Sequence, residues 1–551
     1  MMSIRAAAVL AASLSTALWA AAPGQTIDPA RLSETTRVLA SDPFQGRAPG
    51  TPGEKKTIDY LIGRFKEAGL SPAGDDGGWT QRVPLVHTRL GSGSMRVDLG
   101  GTALPLTQKQ QIYVNTVRPV DRVSIDKAPL VFVGYGVNAP ERQWDDFKGV
   151  DLHGKVAVFL VNDPDFEAKP GEPSAGRFGG KAMTYYGRWT YKYEEAARRG
   201  AIAALIVHDA PGAGYGWSTV VAPGGENYDI VRTGPAQPIL LQGWLEGDAA
   251  RDLFRRAGLD LDKLRVEARS PSFKPVALQG ATFSADLPVT SEQVQSYNVL
   301  GKIAGAKRPD ETVMYGAHWD AYGIGTPDAQ GRTIRPGAAD DAIGVAGLIE
   351  IARAFAAGPK PDRTLVFAAW TAEERGLLGS ETYAVHPLFP LDKTVANLTM
   401  DILQTAGPAH DVVLVGAGQS SLEDDLARAA QAQGRTVTPE TLPERGLFYR
   451  ADHFSFARRG VPTLLLMGIA GPHDLADGGK AAGEKWLEDY MACYHQTCDA
   501  WTPDLDFRGA AQDVKLLFDI GHTLAFSDQW PEWRPSSEFR AIREKSSAER
   551  R

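Results

Sequence analysis

The chain has 551 residues, of which 43% are hydrophobic and 23% are charged. These values are typical of globular proteins and argue against extensive disorder. The 59 lysines and arginines are outnumbered by 67 aspartates and glutamates, which gives a formal net charge of −8. A nucleic-acid-binding protein usually carries a basic excess, so we expect no nucleic-acid partner. Because only two cysteines occur, no disulfide framework holds the chain together, and an ordinary buried core must stabilise it.

The N-terminus predicts export. Arg5 is the only charged side chain before Asp28, and the alanine-rich stretch AAAVLAASLSTALWAAA follows it. A short positive region, an apolar run and small residues form the layout of a secretory signal peptide, here over residues 1–22. A membrane anchor is the alternative, but the run is short, and no other segment approaches the about 20 apolar residues of a spanning helix. We therefore expect a periplasmic or secreted protein without stable membrane insertion after cleavage.

In chain order, residues 29–70 predict a helix, a Gly/Pro-rich loop and a second helix. The pattern then changes, because residues 121–284 contain short apolar strands between Gly/Pro turns, such as 155–163 and 201–209, and one clear helix at 191–200. This mixture predicts a strand-rich α/β domain with its own core. We expect it to be an insertion into a larger domain and to carry no catalytic groups.

After residue 296, apolar strands alternate with helical patterns such as 341–358. This alternation predicts an α/β fold in which helices cover both faces of a mostly parallel or mixed sheet. The helices near the N-terminus need this sheet as a packing partner, so residues 23–120 and 285–530 are predicted to form one discontinuous domain. Residues 531–551 are polar and charged, and are predicted to be a flexible tail.

Polar side chains follow the ends of the predicted strands. His318 ends one apolar strand, with Asp320 two residues later, and Asp340 and Asp341 stand where a helix is predicted to begin. In open α/β sheets, binding groups gather beyond the carboxyl ends of the strands. A histidine beside a carboxylate suits a metal ligand, although an ordinary polar turn would give the same pattern. The aspartate pair also suits a helix N-cap, but capping needs only one carboxylate.

Further polar residues extend this set. Glu373 and Glu374 follow a second apolar strand, Asp401 lies in a third, and CYHQTCDAW contains His495 and Asp499. A bare glutamate pair is typical of a solvated turn, whereas a lone carboxylate in a buried strand is costly unless it is paired or binds a metal. Each group alone is ambiguous. Together, two histidines and three carboxylates near one sheet edge predict an N/O metal site suited to zinc, or to manganese or cobalt.

The ordered set resembles a known family. The motifs H-x-D, G-A-x-D-D, A-E-E-x-G-L-L-G-S, a strand aspartate and Y-H-x-x-x-D are similar to those of the co-catalytic zinc metallopeptidases of family twenty-eight, which include di-zinc aminopeptidases and glutamate carboxypeptidases. Residues 39–53 resemble the family's N-terminal segment, and 121–284 resemble its protease-associated insertion domain. The resemblance implies a hydrolase of peptide substrates that holds two zinc ions per chain, with manganese or cobalt as substitutes.

Carried over residue by residue, the resemblance also implies roles for the polar residues. The metal ligands would be His318, Asp340, Glu374, Asp401 and His495. Asp340 would bridge both ions, and Glu373 would be the general base. Asp320 would steady His318, and Tyr494 would hydrogen-bond the tetrahedral intermediate.

The substrate and the oligomeric state stay open. An aminopeptidase that removes N-terminal residues is the expected activity, and a glutamate-carboxypeptidase-like carboxypeptidase or dipeptidase is the main alternative. A glutaminyl cyclase and a catalytically silent receptor-like homologue are further alternatives, and the complete ligand set argues against both. The segment 448–460 is expected to line the substrate pocket through Tyr449, Arg450 and His453, although a structural loop capped by Asp452 fits equally well.

Two local predictions concern the last motif. The second imidazole ligand could be His453 or His495, since each lies in a loop near an aspartate. The family motif favours His495 and leaves His453 in the pocket wall without metal contact. Cys493 and Cys498 are predicted to form a disulfide, because the four residues between them can curl to bring their Cα atoms within the required about 4.4–6.8 Å.

Overall fold

The structure is a computed structural model that describes residues 26–221, 225–232 and 234–550. The predicted signal peptide therefore lies outside the described residues. Within the described ranges, no helix is long and apolar enough to cross a membrane. The chain forms two units, each built on a sheet, and the long strand Val276–Ile303 takes part in both sheets.

The larger unit is built on a mixed sheet. Its four central strands are parallel and lie in the order Thr463–Met467, Thr394–Asp401, Arg308–His318 and Arg363–Trp370. The C-terminal part of Val276–Ile303 pairs antiparallel with Arg363–Trp370. Beyond it, the antiparallel strands Thr80–Leu90 and Glu226–Ile230 extend the sheet. The prediction of a mostly parallel or mixed sheet is confirmed.

Helices cover both faces of this sheet. Along Arg308–His318, Val313 and Tyr315 point into one core and Met314 points into the other, as the pleat of a strand requires. The helices over the first core are Pro29–Leu39, Pro52–Glu67, Ile343–Ala356, Leu422–Ala432 and Arg508–Phe526. Those over the second core are Leu378–Val385 and His453–Ala457. Because both faces are covered, the strand RTLVFAAW is buried along its whole length and is almost continuously apolar.

The smaller unit contains a second sheet with helices around it. Its parallel strands are Arg122–Phe132, Val156–Leu160, Ala203–Val207 and Leu241–Leu245. Antiparallel strands flank them, namely Ser94–Leu99, Thr102–Pro105, Ile112–Asn115 and the N-terminal part of Val276–Ile303. The helices are Trp189–Arg198, Ala210–Ala213, Trp217–Val221, Gly247–Arg256 and Leu261–Glu267.

The inserted unit begins earlier in the chain than the predicted boundary at residue 121. Strands Ser94–Leu99 and Ile112–Asn115 pair within its sheet, and Met95 and Val97 are part of its core. Periodicity alone does not reveal which sheet a strand joins, so the sequence did not separate these strands from the larger domain. The inserted unit of the structure therefore runs from about residue 94 to residue 288, apart from the strand Glu226–Ile230, which joins the larger sheet.

The C-terminal segment also differs from its prediction as a flexible tail. Trp533 and Phe539 are buried at 3% and 2% exposure, in one core with the ring of Phe448. The Trp533 indole N–H donates to the carbonyl of Gly460 at 2.8 Å. Two aromatic residues thus fix a segment that is otherwise polar. The remaining elements are helices Gly479–Cys493 and Arg540–Lys545 and strands Ser71–Pro72, Asn138–Ala139, Trp144–Asp145, Gly323–Ile324, Ile334–Arg335, Asp411–Leu414 and Thr436–Pro439.

Candidate metal centre

The parallel strands place the predicted ligands at one sheet edge. His318 is the last residue of its strand and Asp401 is the last residue of the next strand in the sheet. Glu373 and Glu374 follow the end of Arg363–Trp370 on the other side. Because parallel strands run in the same direction, their carboxyl ends meet at this edge. The sheet therefore explains why residues far apart in the chain converge.

Five of the predicted residues form two groups that share one carboxylate. The Nε2 atom of His318 lies 3.1 Å from Asp340 Oδ1 and 3.8 Å from Asp401 Oδ1. The Nε2 atom of His495 lies 3.1 Å from Asp340 Oδ2 and 3.3 Å from Glu374 Oε2. Each group offers ligand atoms that lie within 4.8 Å of one another. Asp340 thus presents one oxygen to each group, as a bridging ligand would.

The chemistry of these atoms fits divalent cations. The Nε2 atoms of His318 and His495 and the Oδ1 atom of Asp401 are buried, and none of them has a hydrogen-bond partner in the described part of the chain. Buried polar atoms are normally satisfied, so three unsatisfied atoms that converge at one place indicate a ligand. Imidazole nitrogens with carboxylate oxygens are ligands that zinc accepts readily, and manganese or cobalt also bind such sets.

The electrostatics point in the same direction. Burial raises the pKa of Glu373 and of Glu374 well above the usual value, and carboxylates nearby, Asp340 among them, add to the effect. Burial alone would lower the pKa of His318, but Glu373 and the other surrounding carboxylates raise it well above the ordinary value. Among the described side chains around the two metal groups, the negative charge of the carboxylates thus exceeds the positive charge of the basic groups. Bound cations would remove this imbalance.

A buried network fixes the turn that carries Asp340. The two carboxylate oxygens of Asp499 accept hydrogen bonds from the backbone N–H groups of Ala339 and Asp340, at 2.9 and 3.1 Å. Asp341 accepts from the backbone N–H groups of His318 and Gly344, at 3.1 and 2.9 Å. Of the adjacent aspartates, one therefore faces the metal groups and the other holds the backbone of a ligand.

Arg47 completes this network and was not recognised from the sequence. Its guanidinium is fully buried and donates to the carbonyls of Leu39, Trp319, Pro336 and Gly337. The signal was present, since an arginine in the Gly/Pro-rich loop belongs to the segment that resembles the family's N-terminus. Three of its four partners, however, lie 272 to 290 residues away. Arg47 thereby ties the N-terminal loop to the turn before Asp340.

Asp320 and Glu373 lie beside the two groups without belonging to them. His318 Nδ1 lies 3.1 Å from the backbone carbonyl of Asp320 and 3.7 Å from its carboxylate. That carboxylate accepts the backbone N–H of Glu373 at 3.0 Å. Glu373 Oε2 lies 3.8 Å from His318 Nε2. The predicted steadying of His318 thus comes from the Asp320 main chain, while the Asp320 side chain anchors Glu373.

Comparison with known proteins finds a family match over this centre. Residues 298–518 match the family model described as peptidase family M28. The metal centre thus lies in the part of the chain that matches peptidase family M28, which we call the M28 region. The match spans every residue of the two metal groups, together with Glu373 and Tyr494. The inserted unit lies outside the matched residues.

Each of three curated relatives matches less than half of the chain. Leupeptin-inactivating enzyme 1 of Streptomyces exfoliatus is 28% identical over 234 residues, which are 41% of this chain and 48% of that enzyme. A probable glutamate carboxypeptidase of Arthroderma benhamiae is 33% identical over 184 residues, 32% of this chain and 22% of that protein. Aminopeptidase NAALADL1 of Mus musculus is 39% identical over 113 residues, 19% of this chain and 14% of that protein. The chain thus spans less than half the length of each of these relatives.

One solved structure shares the fold over most of the chain. The aminopeptidase from Aneurinibacillus sp. strain AM-1 superposes with a TM-score of 0.50 at 19% identity. The superposition covers 92% of this chain and 96% of that chain. The similarity therefore extends beyond the M28 residues and includes the inserted unit.

The M28 region carries His495 on a short cross-linked loop. A disulfide joins Cys493 and Cys498, with their Cα atoms 5.2 Å apart, which confirms the predicted pair. His495 adopts a φ of +63°, and its ring lies between two tyrosines. The ring centroid is 3.6 Å from that of Tyr494 and 4.4 Å from that of Tyr322. Tyr322 was not singled out from the sequence.

The three predicted substrate-binding residues of the M28 region have different surroundings. Tyr449 is buried, and its hydroxyl donates to Glu538 of the C-terminal segment at 2.8 Å. His453 is fully buried against the ring of Phe448, and burial lowers its pKa to about 3. These two residues therefore pack in the interior and do not line an open pocket, because the aromatic cluster of the C-terminal segment closes over them.

Arg450, the third predicted substrate-binding residue, has no side-chain partner among the described residues. Arg450 is half-buried, and its guanidinium forms no hydrogen bond or ion pair with the described residues. Burial would lower the pKa of Arg450, but Tyr494, Glu373 and Asp401 are among the groups that raise it. The charges of the metal centre thus act on Arg450, whereas His453 belongs to neither metal group.

Proposed function

We propose that this protein is an exported zinc exopeptidase that removes N-terminal residues from peptides. The observation that carries the proposal is the arrangement around Asp340, which shares its two oxygens between two ligand groups while Glu373 lies beside both. The names of relatives support an exopeptidase, since one is an aminopeptidase and another is a probable glutamate carboxypeptidase.

The residues divide between two cation positions. His318, Asp340 and Asp401 would hold one cation, and Asp340, Glu374 and His495 would hold the other. Bound there, two zinc ions, or manganese or cobalt in their place, would lower the pKa of a water molecule and polarise the scissile carbonyl. Because both groups include Asp340, this one carboxylate would bind both cations.

The residues of the chain supply the proton transfers. Glu373 accepts a proton from the attacking water and returns it to the leaving amine. The hydrogen bond from its backbone N–H to Asp320 fixes the position of this base. Burial raises the pKa of Tyr494 well above the usual value, so its hydroxyl stays protonated and can donate to the oxygen of the tetrahedral intermediate.

Export rests on two further features. The signal-peptide pattern at residues 1–22 predicts secretion or transfer to the periplasm. The disulfide between Cys493 and Cys498 suits such an oxidising compartment. The inserted unit would act there as a protease-associated domain that shapes access to the metal centre. Its contact with the M28 region supports this role, since the Tyr185 ring packs against Tyr449.

A carboxypeptidase or dipeptidase is a second proposal, and Arg450 favours it. An unpaired guanidinium near Glu373 could bind the free carboxylate of a substrate C-terminus. Glutaminyl cyclase activity and a catalytically silent, receptor-like role fit less well, because both ligand groups are complete.

Substrate profiling with metal analysis tests the proposal. The purified enzyme should contain about two zinc ions per chain and hydrolyse aminoacyl-arylamides, while their N-acetylated forms stay intact. Chelation should abolish this activity, and added zinc should restore it. Cleavage of N-acetylated peptides with free C-termini would instead show carboxypeptidase activity and reject the aminopeptidase proposal. Full zinc content without any hydrolysis would contradict both.

A further inference from the structure

A cleft of about 270 Å³ opens beside the metal centre. The Gly/Pro-rich loop of the N-terminal segment, with Pro49 and Pro52, forms one wall. Tyr228 on the strand Glu226–Ile230 and Tyr322 form another, together with Arg375. Because Arg375 follows Glu374 directly in the chain, this cleft adjoins the group that contains His495.

Two tyrosines hold Arg375 in place. Its guanidinium carbon lies 5.3 Å from the ring centroid of Tyr228 and 5.2 Å from that of Tyr322. Both rings are themselves fixed, since Tyr228 stacks on His87 at 4.4 Å and Tyr322 contacts the His495 ring at 4.4 Å. Cation–π contacts with two rings orient a guanidinium and restrict its motion. Arg375 is thus positioned relative to a metal ligand through one intervening ring.

The N–H groups of this guanidinium have no partner among the described residues. Across the described ranges, neither a hydrogen bond nor an ion pair engages the Arg375 side chain. Arg459 gives the contrast, because it is bidentate to Glu381 at 3.0 and 2.8 Å. A guanidinium presents a planar set of donors that matches a carboxylate. Arg375 is therefore oriented for an acceptor that the described chain does not supply.

We propose that Arg375 anchors a substrate subsite that binds a carboxylate next to the scissile bond. The proposal rests on the proposed peptidase function and adds a substrate class to it. The carboxylate could come from an aspartate or glutamate side chain or from the free C-terminus of a short peptide. Ile324, which is 62% exposed, and the two prolines of the cleft supply apolar contact for the rest of that residue.

Calorimetry on zinc-loaded Glu373→Gln protein tests the subsite without turnover. The probes are the dipeptide amides Leu-Glu and Leu-Gln, which differ in the side chain next to the scissile bond, and Leu-Gln with a free C-terminus. Charge-assisted bidentate hydrogen bonds should make at least one carboxylate peptide bind about 10- to 100-fold more tightly than the neutral amide. Which peptide gains affinity identifies the source of the carboxylate.

Substitutions of Arg375 separate charge from packing. Arg375→Met keeps a long side chain between the two rings but removes the charge. This variant should therefore bind all three peptides as weakly as the parent protein binds the neutral amide. Arg375→Lys should show an intermediate preference, because it keeps the charge and loses the planar fork. Arg251→Met is the control, since Arg251 pairs with Asp262 on the surface of the inserted unit, and it should bind like the parent protein.

The outcomes distinguish this inference from the proposed function. Three results would overturn the subsite: the parent binds the three peptides equally, it binds none of them measurably, or its preference for a carboxylate survives in Arg375→Met. The tyrosine contacts would then serve packing only. Failure of the peptidase proposal would instead appear as wild-type protein that binds these peptides and cleaves none of the arylamides or blocked peptides.

Discussion

The two halves of the metal centre are built differently. His318 and Asp401 end adjacent parallel strands, and their side chains are 2% and 5% exposed. His495 belongs to a loop between two cysteines, and its side chain is 24% exposed. We call the first pair the strand half and His495 with Glu374 the loop half. The sheet determines the geometry of the strand half, whereas a cross-link and two aromatic contacts must hold His495.

This difference concerns stability as well as position. Strand ends of a buried sheet open only with the domain core, while loops open at lower free energy. The strand half should therefore keep its cation under conditions in which the loop half releases one. Asp340 belongs to both groups, and Asp499 and Arg47 hold its turn. The predictions below test this division, beginning with the largest effect.

Glu373→Gln should have the largest effect on turnover and no effect on either half. The change removes the proton acceptor and leaves the ligand atoms in place. We expect kcat to fall by about 100- to 10,000-fold. Metal analysis of the purified variant should still give two zinc ions per chain. Asp519→Asn is a control that should keep wild-type turnover, because Asp519 is a half-buried residue of helix Arg508–Phe526 that pairs with Lys515. Loss of a zinc ion from Glu373→Gln would make Glu373 a ligand and contradict the assignment.

His495→Ala should affect the loop half alone. Its Nε2 atom lies in the ligand group of Asp340 and Glu374, whereas Asp401 belongs to the other group. Zinc content should fall from two ions per chain to one, and activity should fall with it. His453→Ala is the matched variant, because His453 is a histidine of the same region outside both groups, and it should keep two ions. The reverse result, in which His453→Ala loses a zinc ion and His495→Ala keeps both, would reject the ligand set.

The strand half was accessible from the sequence for the same reason that it is rigid. A strand end is visible in an apolar run, and parallel strands bring their ends together, so His318 and Asp401 could be predicted as neighbours. The same argument predicted Glu374 of the loop half, because it also follows a strand end. The resemblance to a family was needed to choose His495 over His453, since both lie in loops near an aspartate. The deep burial of His453 depends on the C-terminal aromatic residues and was not visible locally.

Long-range packing set the limits of prediction elsewhere. Asp499 lies 160 residues from the backbone N–H of Ala339 that it binds, and no local pattern indicates this contact. Strand Ser94–Leu99 pairs with the long strand almost 200 residues later, so the start of the inserted unit could not be placed. The α/β class and the sheet followed from periodicity, whereas partners of isolated strands and buried side chains did not.

Removing the disulfide should weaken the loop half by a smaller amount. Cys493→Ser with Cys498→Ser frees the loop that carries His495. Changes around a ligand typically reduce metal affinity about 10-fold or more, and only the second zinc ion should show it in a chelator titration. Loss of so short a cross-linked loop should cost about 2 kcal/mol or less in global stability. Equal weakening of both zinc ions would show that the loop supports the whole centre.

Tyr494→Phe should have the smallest effect and should separate its two contacts. The phenylalanine ring keeps the packing against His495, whose centroid lies 3.6 Å away, so both zinc ions should stay bound. The lost hydroxyl removes one hydrogen bond to the transition state, worth about 0.5–1.5 kcal/mol. We therefore expect kcat to fall about 3- to 10-fold, with KM nearly unchanged. Tyr494→Ala should also lower the affinity for the second zinc ion, because it removes the ring that supports the loop half. If Tyr494→Phe loses zinc while keeping its kcat per bound metal, the hydroxyl supports His495 and takes no part in the reaction.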